Sequence, residues 1–122
     1  MDCEPVQVCR TETPVARGMH RCSHCDGWIR RGERYTLHHT LFEGQWRDYA
    51  ECDECEAMAA RLNAEMSQDG VVPLGMLADE IMESESRPDA LAMLATMRRR
   101  GARAATVRRF ARVVEHMETT HA

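Results

Sequence analysis

At 122 residues the chain has the size of one domain, long enough for a compact module with a small helical region packed beside it. Charged residues make up 30% and aromatic residues 5%, and no run nears the roughly 18 consecutive apolar residues of a membrane span, which excludes a transmembrane helix. The formal net charge of −4 is segregated: residues 1–50 set seven Arg against seven acids, residues 51–89 two Arg against eleven acids, and residues 90–122 seven Arg against two Glu, with no Lys anywhere.

Residues 1–19 hold two Pro, scattered Thr and Glu, and no clear period, so an extended arm is expected there. Met1-Asp2-Cys3-Glu4-Pro5 lacks the basic-then-apolar order of a signal peptide. A cytoplasmic protein is expected, in a compartment that keeps thiols reduced and free to bind metal. Cys3 and Cys9 lie in the arm; two lone cysteines make an incomplete metal site, so free or partly buried thiols are expected.

Two identical brackets follow, Cys22-Ser23-His24-Cys25 and Cys52-Asp53-Glu54-Cys55, with 26 residues between them. Paired C-x-x-C units in a short chain have the spacing of a tetrahedral zinc site. Cys22, Cys25, Cys52 and Cys55 are the expected ligands, with His39 in place of one cysteine as the alternative. His24 is expected to be a polar knuckle residue. Gly27 suits the tight turn of a knuckle, and Gly32 in Arg30-Arg31-Gly32-Glu33 opens another. Tyr35 to Phe42 is rich in aromatic, Thr and Leu residues, Glu43-Gly44-Gln45 interrupts it, and Trp46 to Ala50 resumes, which reads as a β-hairpin. By the period of two, Tyr35, Leu37, His39 and Leu41 share one face and Thr36, His38, Thr40 and Phe42 the other, so His38 and His39 cannot both face the core.

The second bracket runs into a helical pattern in which Asp53 is expected to cap and Glu56 to complete a capping box. Cys55 then falls in the first turn, where free N–H groups and the helix dipole favour a thiolate. Cys55, Met58, Ala59, Leu62 and Met66 make one apolar stripe. Knuckle, hairpin and a helix that supplies the last ligands is the treble-clef arrangement, assigned to residues 20–69.

Residues 70–122 read as three further helices after Gly70. Pro73 suits the first start, with Leu74, Leu77, Ala78 and Ile81 at i, i+3, i+4, i+7. Ser86 with Asp89 is expected to cap the next, striped by Ala90, Met93, Leu94 and Met97 and stopped by Gly101. Val107, Phe110, Ala111, Val114 and Met117 repeat the spacing in the last. The fold class is therefore α+β.

Arg98, Arg99, Arg100, Arg103, Arg108, Arg109 and Arg112 crowd a helix–turn–helix junction at Gly101. They form either a phosphate-facing surface or a solvated face that balances the acidic middle segment, with internal neutralisation the default. No P-loop, dinucleotide glycine pattern, nucleophile elbow or H-E-x-x-H occurs, and His38-His39 lacks the Asn and downstream His of an HNH nuclease. A four-thiolate site has no open position for water or substrate, so catalysis is not expected.

The run Ala16-Arg17-Gly18-Met19-His20-Arg21-Cys22-Ser23-His24-Cys25, with Ile29-Arg30-Arg31-Gly32-Glu33-Arg34-Tyr35, Glu43-Gly44-Gln45-Trp46 and Cys52-Asp53-Glu54-Cys55, resembles small bacteriophage and prophage zinc-finger proteins of uncharacterised function. The likeness covers about residues 16–66 and implies fold and zinc ligands, but no partner. A more distant likeness is to the zinc finger of DksA- and TraR-type RNA-polymerase regulators; this chain has a longer hairpin and no long N-terminal coiled coil with an acidic tip. The expected function is a non-catalytic, phage-encoded zinc protein that engages a host protein as regulator or inhibitor. The competing expectation is nucleic-acid binding through the Arg-rich C-terminal helices.

Overall fold

The computed structural model describes residues 7–65 and 72–120, with the backbone alone for Gln7, Cys9 and residues 118–120; Cys3, Met66 and Gly70 lie outside the described residues. In chain order the elements are β1 (Gln7–Glu12), β2 (His20–Arg21), β3 (Trp28–Ile29), β4 (Thr36–Phe42), β5 (Gln45–Glu51), α1 (Asp53–Glu65), α2 (Leu77–Ser84), α3 (Arg87–Arg99) and α4 (Ala104–Thr120). The α+β class holds.

Glu43 (φ 50°) and Gly44 (φ 78°) are consecutive left-handed residues, the two-residue turn whose twist matches antiparallel strands. It joins β4 to β5 in unbroken register from Phe42↔Gln45 to Thr36↔Glu51. In the described part of the N-terminal arm, Gln7–Glu12 are extended, as the composition suggests, and also paired: β1 runs antiparallel to β4, giving a three-stranded sheet of order β1-β4-β5 with an irregularity between Val8 and Arg10. A scattered polar composition hid this strand because its stabilising ladder is supplied by β4, not by its own pattern.

The first bracket sits in the turn between β2 and β3, which pair as a two-stranded ribbon. Asp26 takes the left-handed conformation (φ 65°) there, where Gly27 was expected to. Gly27 is needed for space: a β-carbon on it would lie 2.4 Å from Cβ of Arg100, well inside van der Waals contact. This is where the end of α3 meets the knuckle, and the Trp28 N–H donates to the Arg100 carbonyl at 2.7 Å.

Helix α1 starts at Asp53, so Cys52 is its N-cap. The Cys52 carbonyl accepts from the Glu56 N–H at 2.9 Å, and its Sγ accepts from the Cys55 N–H at 3.4 Å. The expected Asp53–Glu56 capping box does not form; a cysteine sulfur takes the place of the capping oxygen and the Asp53 carboxylate turns to Arg100. Helix α2 starts four residues after Pro73, because Gly75 is left-handed (φ 78°) and interrupts the helical path. Ser86 is the N-cap residue of α3 but makes no side-chain cap bond, and Asp89 pairs with Arg61 of α1 instead. Gly101 (φ 69°) ends the junction after α3, as expected.

The stripes of α2, α3 and α4 (Leu77 and Ile81; Ala90, Met93, Leu94 and Met97; Phe110, Val114 and Met117) bury into one continuous core. Ile29, Tyr35, Ala59, Leu62 and the four bracket cysteines belong to the same core. Full burial of each large side chain is worth about 1.5–3 kcal/mol, so the helices and the cysteine module stabilise each other.

Candidate metal centre

Cys22, Cys25, Cys52 and Cys55 are all buried, and their sulfurs lie within 4.8 Å of one another. A regular tetrahedron with metal–sulfur bonds of about 2.3 Å has sulfurs about 3.8 Å apart, so the set fits a tetrahedral ion with little movement. Three backbone N–H groups donate to these sulfurs: Gly27 to Cys25 at 3.3 Å, Cys52 to Cys22 at 3.4 Å and Cys55 to Cys52 at 3.4 Å. Such bonds favour the thiolate form that metal binding requires. Hydrogen bonds with Cys25, then Cys52 and Cys55, draw Cys22 toward the thiolate, and the hydrogen bonds of Cys52 and Cys55 with Cys22, then Cys25, hold those two above the ordinary thiol value. These four cysteines are positioned to coordinate a metal ion.

His39, the alternative ligand, is not in this cluster. It stands on the other face of β4, with Nδ1 2.8 Å from Asp48 and Nε2 2.7 Å from Glu12. Those two carboxylates, Glu12 first, raise its pKa above the ordinary value.

Around the cluster runs a polar chain that the sequence did not reveal. The side chain of His24, 1% exposed, accepts the Leu77 N–H on Nδ1 at 3.2 Å, which places its proton on Nε2, 2.6 Å from Oε2 of Glu51. The other Glu51 oxygen meets His38 Nε2 at 2.5 Å, and His38 Nδ1 meets Thr11 Oγ1 at 3.0 Å. Burial pushes the Glu51 carboxyl up, but the hydrogen bonds of His24 and His38 outweigh it and leave it below the usual range. One carboxylate thereby ties the knuckle, the sheet and the first residue of α2 together. His24 is a polar knuckle residue, as expected; its role as the cap of a distant helix had no local signal, because Leu77 is 53 residues away.

The C-terminal arginines divide. Arg100, with a side chain 6% exposed, donates to Glu33, Asp53, Glu54 and the Trp28 carbonyl, all at 2.9 Å in their closest contacts. It is an internal tie, so it leaves the expected contact surface. Arg99 pairs with Glu54. Arg103 pairs with Asp26 at 3.0 Å, and the second oxygen of Asp26 receives the Arg103 N–H and the Thr106 hydroxyl, which caps α4 from the knuckle. Arg98, Arg108, Arg109 and Arg112 are exposed and make no ion pair among the described residues. No helix among the described residues is long and apolar enough to cross a membrane.

Comparison with protein families, curated proteins and solved structures finds no match to this chain.

Proposed function

We propose that the chain is a non-catalytic zinc-binding interaction protein, with zinc held by Cys22, Cys25, Cys52 and Cys55 in a treble-clef arrangement, that engages another protein as a regulator or inhibitor. The carrying observation is saturation. Four buried thiols fill every position of a tetrahedral ion. Both ring nitrogens of His24, His38 and His39 are engaged inside the protein, so none is placed to act as a general base. The charge segregation, acidic over residues 51–89 and basic over residues 90–122, supports steered association with a protein partner; the partner in this reading is a host protein and the setting a reducing bacterial cytoplasm.

Metal analysis of the purified protein is expected to give one zinc per chain, lost in Cys22→Ser with Cys55→Ser. Iron in its place refutes zinc as the ion, and metal retained by the double variant refutes the four-cysteine site. Pull-down from a bacterial lysate is expected to retrieve a protein. A preparation that retrieves none, yet turns over a substrate in a hydrolase or nuclease screen, overturns the non-catalytic reading.

A second reading, duplex nucleic-acid binding, is favoured by one observation: Arg108, Arg109 and Arg112 project from α4 opposite the buried Phe110 and Val114, unpaired among the described residues. Each neutralised phosphate contributes a slope of about −0.9 to log K against log salt, so Arg108→Ala with Arg112→Ala should reduce the slope by about two. Absence of a mobility shift at low salt rejects this reading.

A further inference from the structure

We propose that the free edge of β5 is a docking strand for an extended, alternating acidic and apolar segment of a partner protein, an inference that rests on the interaction reading above. The pair that closes a two-residue turn is hydrogen-bonded, and every second pair after it. Phe42↔Gln45, Thr40↔Arg47 and His38↔Tyr49 therefore use the inner groups of β5, and the N–H and C=O groups of Trp46, Asp48 and Ala50 point outward. Ala50 confirms the parity: its carbonyl accepts from the Ser23 N–H at 2.7 Å and its N–H donates to Ser23 Oγ at 3.1 Å. Trp46 and Asp48 have no such partner among the described residues, and Gln45–Asp48 are all exposed.

The two edges of the sheet are treated differently. Edge β1 carries a register irregularity between Val8 and Arg10, a device that spoils an edge for pairing. Edge β5 is regular over its whole length and contains no Pro. It also carries Trp46, 68% exposed, a residue type enriched where a few side chains dominate binding. Trp46 and Arg47 point to opposite faces of the sheet, and Arg47 makes no ion pair among the described residues. An added strand would place a β-branched or other apolar residue beside Trp46 and a carboxylate beside Arg47, and the next residue would return to the first face. A second copy fits less well: pairing that uses both free residues, Trp46 of one chain with Asp48 of the other, sets Arg47 against Arg47.

The test is a titration of the zinc-loaded, nitrogen-15-labelled full chain with an acetylated and amidated peptide of about ten residues alternating Glu with Val. Expected are the largest amide shifts at Trp46, Arg47 and Asp48, exchange of the Trp46 and Asp48 amides slowed about tenfold or more, and binding about tenfold weaker in Trp46→Ala with zinc content unchanged. The same peptide with Lys for Glu should bind about fivefold more weakly. Shifts centred on the α4 arginines, or none at millimolar peptide, overturn the proposal. So does protection of these amides without peptide in a chain that sediments as a dimer, which would make a second copy the occupant. A host protein captured equally well by wild type and Trp46→Ala overturns the edge and leaves the interaction reading standing. A chain that captures no protein and shifts a duplex removes both.

Discussion

The two ends of one hairpin behave as if they belonged to different proteins. At its base, Glu51 and Cys52 are buried, and each carboxylate oxygen of Glu51 has a histidine partner. At its tip, Phe42, Trp46 and Arg47 stand in solvent, and the outer backbone groups of Trp46 and Asp48 have no partner among the described residues. The strands are continuous between these ends, so the difference lies in what packs against them: the cysteine knuckle at the base, and at the tip, among the described residues, only Gln7 and Val8 of β1 beside Leu41 and Thr40 of β4. Substitutions that loosen the base should unfold the molecule, and those at the tip should leave it folded.

The largest expected effect comes from the metal. Structural zinc contributes an apparent binding free energy of about 10–16 kcal/mol, as large as the whole stability of a typical domain, about 5–15 kcal/mol. A strong chelator is therefore expected to abolish the fold of at least residues 20–66, read by loss of the cooperative urea transition and of amide dispersion. Retention of both would show that the hydrophobic core alone holds the base.

Next comes Arg100. Replacing it by Met keeps the apolar stem but leaves Glu33, Asp53 and Glu54 converging without a cation. Breaking a buried pair costs about 3–5 kcal/mol; with Asp53 72% exposed and Glu33 and Glu54 about one third exposed, solvent reduces this to roughly 2–4 kcal/mol. Urea denaturation at neutral pH measures it. A loss under about 1 kcal/mol would show that the end of α3 is held on the knuckle by packing and the Trp28 N–H bond alone.

How much of this was legible beforehand depended on how local each signal is. The cysteine set, the hairpin and the apolar stripes of α3 and α4 are written in spacings of two to four residues, and all three reappear, as does the α1 stripe as far as Leu62; Gln45, expected in the turn, opens β5 instead. What failed was local capping grammar. Asp53, Ser86 and Asp89 are good caps by type, yet Arg100 and Arg61 take the two carboxylates from elsewhere in the chain. The caps in use, Cys52 for α1, His24 for α2 and Asp26 for α4, double as, or sit beside, the metal-site residues. The start of α2 had one usable signal, since a glycine two residues after Pro73 can break a helix as readily as enter it. The Arg-rich segment could not be apportioned from sequence, because only the fold shows that Arg100 points inward while Arg108 and Arg112 point out.

A smaller effect is the acid limb of stability. The guanidinium of Arg100 holds the Glu33 carboxyl below the usual carboxylate range, aided by the Arg30 N–H at 2.5 Å. A carboxylate whose pKa is depressed in the folded state stabilises it above the unfolded-state pKa and loses that contribution as pH falls through the folded value. The difference in stability between wild type and Glu33→Gln should therefore be constant near neutrality and shrink below the ordinary carboxylate pKa of 4.5. Taking the difference removes acid release of the metal, which is common to both chains. A gap that stays constant as the pH falls would mean that Glu33 gains nothing from Arg100 on folding.

Smallest of all should be Trp46→Ala. An aromatic side chain in a core contributes several kcal/mol, and its truncation there costs about 3–5 kcal/mol. Trp46 is 68% exposed, faces Leu41 across the hairpin and lies outside the continuous core. Its removal should change the urea midpoint by no more than about 0.5 kcal/mol, the range of surface substitutions away from caps, cavities and buried pairs. The sheet loses one cross-strand neighbour, worth about 0.2–1 kcal/mol, and in exchange no longer holds a large apolar surface in water. A loss above about 1 kcal/mol would make Trp46 a structural clamp on the turn, and the contrast between base and tip would fail. A negligible loss leaves a tryptophan that the fold does not need, at a regular strand edge that no described residue covers, which is the arrangement the docking proposal requires.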